Sequence, residues 1–374
     1  RYHVPPAQLP AGKYRNIMGF QATALGLISA SEKSGLQLFY GSYPITPASD
    51  ILHELSKHKN FGVLTFQAED EIAAVCASIG ASYGGSLGVT GTSGPGLALK
   101  GEAISLAISL EIPLVIIDVQ RAGPSTGMPT KTEQADLLMA MYGRHGEAPL
   151  PIIAAKSPAD CFEAVYEACR IALEHMTPVI FLSDGYVTNG SEPWRFPTSE
   201  QLTEIKNHIV KKLDTPYLPY KRNEDMVRNW ALPGTPGLEH RLGGIEKEDV
   251  TGHISYNPAN HQKMVDIRAE KVARVAKYIP PVQIDLGPET GEVLLLSWGS
   301  TYGSVRSAVK ELLQEGMAVS HAHLRYLNPL PNGLCELVKQ FKHVIIPEIN
   351  NGQLIKIIRD TTCVHAISFT KVQG

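Results

Sequence analysis

The sequence predicts an α/β protein in which a doubly wound parallel sheet forms a large first domain and a smaller α/β domain follows it. Short apolar runs rich in β-branched residues alternate with helical patterns in the first half of the chain, and a shorter alternation of the same kind begins at Glu292. Strands that alternate with helices favour a parallel sheet covered on both faces. The 374 residues, 43% of them hydrophobic, suffice for two cored domains.

The first domain begins with a predicted helix. In residues 16–33, apolar and small side chains recur at helical spacing, and Lys33 with Gly35 forms a typical helix end. A second helix is predicted at residues 48–57, with Thr46 as its N-cap and Pro47 at its first position. The predicted strands of this domain are residues 36–40, 62–66, 87–92, 114–119, 150–154 and 179–182.

A third helix has the clearest apolar face in this domain. It follows the second strand and is predicted to end at Gly84 and Gly85. Residues three and four positions apart share one side of a helix, so its apolar side chains are expected to face the sheet. These side chains are Ile72, Val75, Cys76, Ile79 and Tyr83.

The composition changes twice along the chain and sets the predicted domain boundaries. An irregular Pro-rich arm covers residues 1–14, and the first domain covers residues 15–200. Residues 201–285 are polar and rich in turn signals, and they are interpreted as an excursion and linker that contains a charged helix at 260–277. The second domain, residues 286–374, has predicted strands at 293–297, 318–323 and 343–346 and a helix at 304–314.

Charge and hydropathy exclude several classes of partner. With 34 basic against 37 acidic residues and a net charge of −3, nothing favours nucleic acid or an anionic membrane as a partner. No apolar run approaches the roughly 20 residues that span a bilayer. The chain starts without Met and without a signal-peptide pattern, so it is interpreted as a fragment or processed form of a cytoplasmic protein.

Cysteine and histidine spacing gives no metal site. The five cysteines include no Cys-x-x-Cys pair, and they are interpreted as small buried side chains in a reducing compartment. This chain alone is therefore not expected to hold a cysteine-ligated iron–sulfur cluster. His240, His253 and His261, with Glu239, match no usual zinc spacing and are expected to serve in turns and packing.

Four strand-to-helix turns carry the polar residues best suited to a ligand. In a parallel sheet all four turns lie at the carboxyl ends of the strands, the edge at which such sheets bind ligands. We therefore expect residues that are far apart in the sequence to meet in one crevice. The turns are Tyr43-Pro44-Ile45-Thr46-Pro47, Gln67-Ala68-Glu69-Asp70-Glu71, Thr92-Ser93-Gly94-Pro95-Gly96, and residues 121–132.

Each turn also has a purely structural interpretation. Glu69, Asp70 and Glu71 suit the first turn of a helix, where the helix dipole stabilises each acid by about 0.3–1 kcal/mol. The glycines of the third turn permit a tight connection, and they match neither a dinucleotide fingerprint nor a Walker A loop. Arg121 can form a surface ion pair, but among hydroxyls and backbone N–H groups it also suits a carboxylate or phosphate. The residue types alone favour a ligand crevice and leave its chemistry open.

At these turns the sequence resembles the alpha subunit of the 2-oxoacid:ferredoxin oxidoreductases, most closely the 2-oxoglutarate type. The resemblance is specific and covers nearly the whole chain. Phe20 departs from it, since Asn is expected after Gly19, and a preceding domain like the small gamma subunit is expected in many relatives. Beyond the four turns, the matching stretches are Ala81-Ser82-Tyr83, His145-Gly146-Glu147, Ser183-Asp184, Glu239-His240, Gly252-His253 and residues 324–329.

The resemblance implies a thiamine diphosphate enzyme whose cofactor is shared between two chains. Its first domain would be the pyrimidine-binding domain, and its second would resemble the transketolase C-terminal domain. A Gly-Asp-Gly turn followed by Asn, the usual diphosphate and Mg²⁺ site, is absent, and Ser183-Asp184-Gly185 lacks the first Gly. A beta subunit would therefore supply the diphosphate site, the Mg²⁺ and the iron–sulfur cluster, in an (αβ)2 assembly that reduces ferredoxin.

The resemblance also implies residue roles. Glu69 would hydrogen-bond the pyrimidine ring of the cofactor, and Thr46 and Arg121 would contact the 2-oxoacid, with 2-oxoglutarate as the expected substrate and coenzyme A as co-substrate. Glu69, Thr46 and Arg121 are thus the candidate catalytic residues. Thr130 and Lys131 would line the substrate pocket beside Thr46 and Arg121, and the cofactor-binding residues would be Tyr43, Pro44, Glu69 and Ser93.

Two other functions remain open at this point. The chain can be a catalytically inert interaction or scaffold module that only completes a pocket with a partner subunit. It can also be a self-sufficient thiamine-dependent decarboxylase or transketolase-like enzyme, which the missing diphosphate motif disfavours. Reconstitution with a beta subunit separates the first alternative from an enzyme subunit.

Overall fold

A computed structural model describes residues 3, 6, 9–213 and 216–373 of the chain. Part of the predicted arm, residues 1, 2, 4, 5, 7 and 8, lies outside the described residues. The strands are β1 (Tyr14–Met18), β2 (Leu38–Ser42), β3 (Leu64–Gln67), β4 (Leu87–Thr92), β5 (Leu114–Gln120), β6 (Ile152–Ala154), β7 (Pro178–Asp184), β8 (Ser191–Arg195), β9 (Ile209–Val210), β10 (Trp230–Ala231), β11 (Ile284–Leu286), β12 (Gly291–Trp298), β13 (Val319–Leu324), β14 (Tyr326–Asn328), β15 (Phe341–Glu348) and β16 (Ile367–Thr370).

Helices connect most of these strands, and short 3-10 turns are found at Lys59–Phe61, Ser199–Gln201, Val275–Lys277 and Gly299–Thr301. None of the helices in the described part of the chain is both long and apolar enough to cross a membrane. The α-helices are α1 (Gly19–Ser34), α2 (Ser49–Leu55), α3 (Glu71–Tyr83), α4 (Gly94–Leu99), α5 (Gly101–Leu110), α6 (Leu137–Tyr142), α7 (Asp160–His175), α8 (Gly185–Asn189), α9 (Pro258–Arg274), α10 (Tyr302–Gln314), α11 (Leu334–Val338) and α12 (Leu354–Thr362).

The larger sheet has seven strands in the order β14-β6-β7-β5-β4-β2-β3. All neighbouring pairs are parallel except β14 with β6. Every residue of the central strands β4, β5 and β7 is buried, as expected for strands covered on both faces. Helices α1 and α7 pack on one face, while α3 and α5 pack on the other, so the predicted doubly wound parallel sheet is confirmed.

The smaller sheet has five strands in the order β11-β13-β12-β15-β16, of which only β11 is antiparallel to its neighbour. Its core is continuous with that of the larger sheet. Leu294, Leu296 and Trp298 of β12 belong to the same buried cluster as Ile116 of β5 and Ile180 of β7. The predicted second alternation is confirmed, although β14, within residues 286–374, adds an edge strand to the larger sheet.

The predicted strands lie within two residues of observed ones, but several local predictions are wrong. Residues 16–18 are not helical, because they pair antiparallel with β8 as part of β1. On α3, Ile72 and Cys76 are exposed, and the sheet side of the helix is formed instead by small residues around Val75 and Ile79. Cys76 and Cys363 are therefore not buried cysteines.

The excursion is attached to the larger sheet through a buried cluster of charges. Glu111, at the end of α5, is buried and forms ion pairs with Arg222 and with Lys271 of α9. Arg222 also contacts Asp249, with Nη1 2.7 Å from Oδ1. Burial would raise the pKa of Glu111, but Lys271 and Arg222 outweigh it and lower the pKa to about 2. The carboxylate of Glu111 thus joins the larger sheet to residues of the excursion that lie more than a hundred positions further along the chain.

Glu111→Gln is expected to destabilise the protein by about 3–5 kcal/mol, because it removes the carboxylate that pairs with buried Lys271 and one of the two carboxylates that pair with Arg222. Urea unfolding measures the loss, and Glu102→Gln, an exposed glutamate on the same helix, is the control expected to change little. Since the pKa of Glu111 is lowered on folding, its contribution is present above pH 4.5 and is lost as the pH falls towards 2. An equal stability of both variants would show that the cluster contributes nothing.

Candidate active site

The four predicted turns do lie along one edge of the larger sheet. Strands β5, β4, β2 and β3 are consecutive neighbours and parallel, so their carboxyl ends face the same side. Two contacts cross between the turns. The Tyr43 hydroxyl lies 2.8 Å from Thr92 Oγ1, and Arg121 Nη1 donates a 2.6 Å hydrogen bond to the carbonyl of Thr46. The turns after β2, β4 and β5 therefore contact one another along one edge, and together with the adjacent turn after β3 they form the candidate crevice.

Tyr43 is the buried centre of this crevice. Its ring lies under the Nζ of Lys100, 5.1 Å from the ring centroid, and its hydroxyl is held by Thr92. The first turn of α4 closes over it so tightly that a Cβ at Gly96 would come within 2.1 Å of the Tyr43 hydroxyl. Burial raises the pKa of Tyr43, so the phenol stays neutral and can donate a hydrogen bond. Pro44, next along the chain, is exposed at the mouth of the crevice.

Thr46 does not cap α2, contrary to the sequence prediction. The helix begins at Ser49 and its N-cap position is Ala48. The Ser49 hydroxyl accepts a 2.8 Å hydrogen bond from the N–H of Ile45, which closes the turn and leaves Thr46 and Pro47 outside the helix. The Thr46 side chain is exposed at the crevice, while its carbonyl is held by Arg121. Its hydroxyl is thereby available to a ligand rather than committed to the helix.

Glu69 lies at the exit of β3 and is exposed. Asp70 is the N-cap of α3, and its Oδ1 accepts a 2.8 Å hydrogen bond from Ala73 N–H. The capping role suggested for this acidic turn therefore falls to Asp70, and Glu69 lies outside the helix. Lys100 Nζ, which is buried, holds the same turn by a 2.8 Å hydrogen bond to the carbonyl of Glu71. The Glu69 carboxylate is thus presented from a fixed turn without a capping function.

Arg121 is only 6% exposed, and its Nε has no hydrogen-bond partner among the described residues. Ser93 is fully buried, and its hydroxyl likewise lacks a partner within the part of the chain that the structure describes. Buried polar atoms are normally hydrogen-bonded, so unpaired ones at a strand edge indicate a place where a polar guest binds. Ser93, Arg121 and Thr46 are the groups that such a guest would meet.

Thr130 and Lys131 lie further along the loop that begins at Arg121, and this loop folds back so that Ala122 N–H donates a 3.0 Å hydrogen bond to the Lys131 carbonyl. Thr130 and Lys131 are both exposed, and they line a groove of about 860 Å³ between the loop after β5 and the smaller sheet, together with Ser300, Glu348 and Phe369. A second groove, of about 1030 Å³, lies between α7 and the excursion and contains none of the predicted site residues. Tyr43, Pro44, Thr46, Glu69, Ser93 and Arg121 therefore lie along one edge of the larger sheet, while Thr130 and Lys131 line the groove next to it.

Sequence reasoning missed three buried charged residues around the crevice. Lys100 follows an apolar helix, Asp118 interrupts an otherwise apolar strand, and Asp136 lies fifteen residues after Arg121. Burial lowers the pKa of Lys100 to about 8 against the attraction of Glu71 and Asp70. The signal that could have found Asp118 is its position two residues before the strand end, where an apolar residue is the norm.

The residues present fit a pyrimidine-type cofactor ring. An exposed carboxylate at Glu69 can bond a ring nitrogen, and the apolar ring of Tyr43 and the unpaired Ser93 hydroxyl offer packing and a hydrogen bond. Ser183-Asp184-Gly185 does not fit a metal–diphosphate site, because Asp184 is buried and caps α8 through a 2.9 Å hydrogen bond from Val187 N–H. Within the described ranges, no group of three or more His, Cys, Asp or Glu residues is arranged for a metal ion.

Fold and site together define a class of protein: an α/β chain whose candidate binding residues lie at the carboxyl edge of a parallel sheet. Residues 33–257 match the family described as pyruvate flavodoxin/ferredoxin oxidoreductase, thiamine diphosphate-binding. The chain belongs to this family. The predicted resemblance is thereby confirmed.

Two relatives are named as KorA subunits of 2-oxoglutarate enzymes. The chain is 54% identical over all 374 residues to 2-oxoglutarate oxidoreductase subunit KorA of Mycobacterium tuberculosis, and it spans 57% of that protein. It is 33% identical over 349 residues to 2-oxoglutarate synthase subunit KorA of Archaeoglobus fulgidus, covering 93% of this chain and 91% of the relative.

Solved structures give the same picture. The fold matches 2-oxoglutarate:ferredoxin oxidoreductase from Magnetococcus marinus, solved with 2-oxoglutarate, coenzyme A and succinyl-CoA bound, at a TM-score of 0.92 and 35% identity. The match covers 97% of this chain and 63% of that one. Transketolase from Campylobacter jejuni, at 12% identity and a TM-score of 0.54, shares the fold over 96% of this chain and 43% of its own.

Proposed function

We propose that this chain is the alpha subunit of a thiamine diphosphate-dependent 2-oxoacid:ferredoxin oxidoreductase that acts on 2-oxoglutarate. The reaction would convert 2-oxoglutarate and coenzyme A into succinyl-CoA, CO2 and reduced ferredoxin. The observation that carries the proposal is that the Glu69 carboxylate and the Arg121 guanidinium follow β3 and β5 at the same edge of the larger sheet, with the Tyr43 and Ser93 turns between them. The KorA relatives and the M. marinus enzyme support the choice of substrate.

Each residue of the crevice has a proposed task. Glu69 holds a proton at the pyrimidine ring of the cofactor, and Tyr43, Pro44 and Ser93 help to bind and orient that ring. Thiamine diphosphate, when bound, supplies the electron sink that makes loss of CO2 from a 2-oxoacid possible. Lys100 keeps the turn that carries Glu69 in place through the carbonyl of Glu71.

Substrate binding would rest on Thr46 and Arg121. Arg121 uses one N–H group, at Nη1, to hold the Thr46 carbonyl. The Nε–H group, which has no partner among the described residues, and the remaining guanidinium N–H groups can then bind a carboxylate. The exposed Thr46 hydroxyl lies beside it and can donate to the 2-oxo or carboxylate oxygen. Thr130 and Lys131 would act further out, where their groove meets the smaller sheet and a longer substrate or coenzyme A can approach.

The site is open on the side of β3 and therefore calls for a partner. Large apolar side chains are exposed on β3 and on helices of the same domain, among them Leu64 at 47%, Ile72 at 51% and Leu99 at 55%. Exposed apolar side chains at the edge strand of a sheet suit a surface that a partner covers. We propose that a beta subunit covers it and contributes the diphosphate site, the Mg²⁺ and the iron–sulfur cluster, in a cytoplasmic (αβ)2 assembly that passes electrons to ferredoxin.

The domain assignment belongs to the same proposal. Residues 15–200 would form the pyrimidine-binding domain and residues 286–374 the transketolase C-terminal-like domain, joined by the excursion at 201–285. Within this division the first domain supplies all the crevice residues. The second would shape the groove beside Thr130.

Co-expression with the beta subunit tests the function. The assembled complex is expected to reduce a low-potential acceptor in the presence of coenzyme A and 2-oxoglutarate, and to do so at least about tenfold more efficiently than with pyruvate or a branched-chain 2-oxoacid. Reduction of the acceptor with pyruvate but not with 2-oxoglutarate would overturn the substrate assignment. A correctly assembled complex that reduces nothing would favour the inert scaffold module.

A further inference from the structure

Two buried carboxyl groups lie directly beneath the Ser93–Gly94 turn of the crevice. Asp118 is fully buried on β5, beside Thr92 in the sheet register, and Asp136 is 6% exposed on the loop that returns from Arg121. A Cβ at Gly94 would come within 2.6 Å of Asp136 Oδ1, so the turn packs directly on this carboxyl group. The carboxyl groups of Asp118 and Asp136 are within hydrogen-bonding contact of each other.

The protein offers these carboxyl groups very few donors. Among the described residues, neither oxygen of Asp118 accepts a hydrogen bond from an N–H or O–H group, and neither does Oδ2 of Asp136. Neither side chain forms a salt bridge within that part of the chain. Two carboxylates in contact, in a dry site without donors, cannot both be ionised. A proton between them satisfies both groups at once.

We propose that Asp118 and Asp136 share one proton at neutral pH and so act as positioning residues that tune the affinity of Arg121 for an anionic 2-oxoacid. The shared proton keeps the charge behind Arg121 at minus one. This single charge attracts the guanidinium without cancelling its attraction for the substrate carboxylate. The inference rests on the proposed role of Arg121 in substrate binding.

The surrounding charges agree with a shared proton. Burial raises the pKa of Asp118 well above its usual range, and the neighbouring Asp136 raises it further. Burial also raises the pKa of Asp136 to about 6, opposed by the hydrogen bond from Asp118 and by Arg121, while Glu133 adds to the rise. The titratable and charged groups that face the pair are thus Glu133 and Arg121, and Tyr43 from the turn after β2.

The pair makes substrate binding depend on pH in a definite direction. At neutral pH the pair retains one proton and carries one negative charge. As the pH rises through the pKa of that last proton, a second negative charge forms beside Arg121 and competes with the substrate. The KM for 2-oxoglutarate should therefore rise about tenfold at alkaline pH, while kcat changes less.

The test uses the complex assembled with its partner subunit and measures KM and kcat for 2-oxoglutarate from about pH 6.5 to about pH 9. Asp118→Asn keeps a hydrogen-bond donor towards Asp136 and removes the titrating proton, so the alkaline rise in KM should disappear. Asp360→Asn, an exposed aspartate on α12, is the matched control and should keep the rise. The same alkaline rise in Asp118→Asn as in the parent complex would overturn the proposal.

Infrared spectroscopy on the same complexes reads the proton directly. The C=O stretch of a protonated carboxyl group should be present at pH 8 in the parent complex and absent from both Asp118→Asn and Asp136→Asn. Its absence from the parent complex would overturn the shared proton, whether or not the variants fold. A complex that shows the band but turns over no 2-oxoacid would leave the shared proton standing and contradict the proposed function instead.

Discussion

Glu69→Gln is expected to lower the turnover of the assembled complex by about a thousandfold, because an amide cannot hold the proton that the cofactor ring must exchange. Binding of thiamine diphosphate should weaken far less, since glutamine keeps the size and a hydrogen bond of glutamate. The measurement is 2-oxoglutarate-dependent release of CO2, with cofactor content determined on the same sample. Decarboxylation at the parent rate would show that the role assigned to Glu69 is wrong.

Asp70→Asn is the matched control for this variant. Asp70 is adjacent in the chain and also has a carboxyl side chain, but this side chain caps α3. Asparagine is also a good N-cap, so the helix should be retained. Turnover in Asp70→Asn should stay within about twofold of the parent. A large loss in both variants would mean that the turn as a whole had moved, and would remove the argument for Glu69 alone.

Arg121→Ala is expected to raise the KM for 2-oxoglutarate by about a hundredfold, because a charge-assisted and partly buried hydrogen bond to the substrate is lost. Arg121→Lys should recover only part of the affinity, since lysine lacks the planar fork that matches a carboxylate. Steady-state kinetics at saturating coenzyme A measures both. Arg241→Ala, an exposed arginine in the excursion, is the control and should leave KM unchanged.

Loss of cofactor binding in Arg121→Ala would give Arg121 a structural role instead. Its Nη1 holds the Thr46 carbonyl, so removal of the side chain can also loosen the turn after β2. Loss of thiamine diphosphate binding with an unchanged KM in the residual activity would place Arg121 in the architecture of the cofactor site rather than at the substrate.

Most of the larger sheet could be predicted, because its central strands are buried on both faces and are rich in apolar residues. The 87–92 strand was predicted with its observed bounds. Elements that depend on distant partners could not be found in this way. Residues 14–18 form a strand only because residues 191–195 return to pair with them, and β14 joins the larger sheet from a stretch far along the chain.

The residues of the crevice likewise include some that were predictable from the sequence and some that were not. Tyr43, Glu69, Ser93 and Arg121 were predictable as neighbours, since a parallel sheet brings the ends of adjacent strands to one side. The path of the loop after β5 was not predictable, and it carries Thr130 towards the smaller sheet. Asp118 and Asp136 meet because that loop folds back under the Ser93–Gly94 turn, a contact with no periodic signature in the sequence.

The central claim is that this chain supplies the carboxylate that activates a cofactor held mainly by a partner subunit. Hydrogen–deuterium exchange at the reactive thiazolium carbon of thiamine diphosphate tests it most directly. Exchange should be fast in the complex of both subunits and slower by at least about a hundredfold with the partner alone or with Glu69→Gln. Equally fast exchange in the partner alone would contradict the claim.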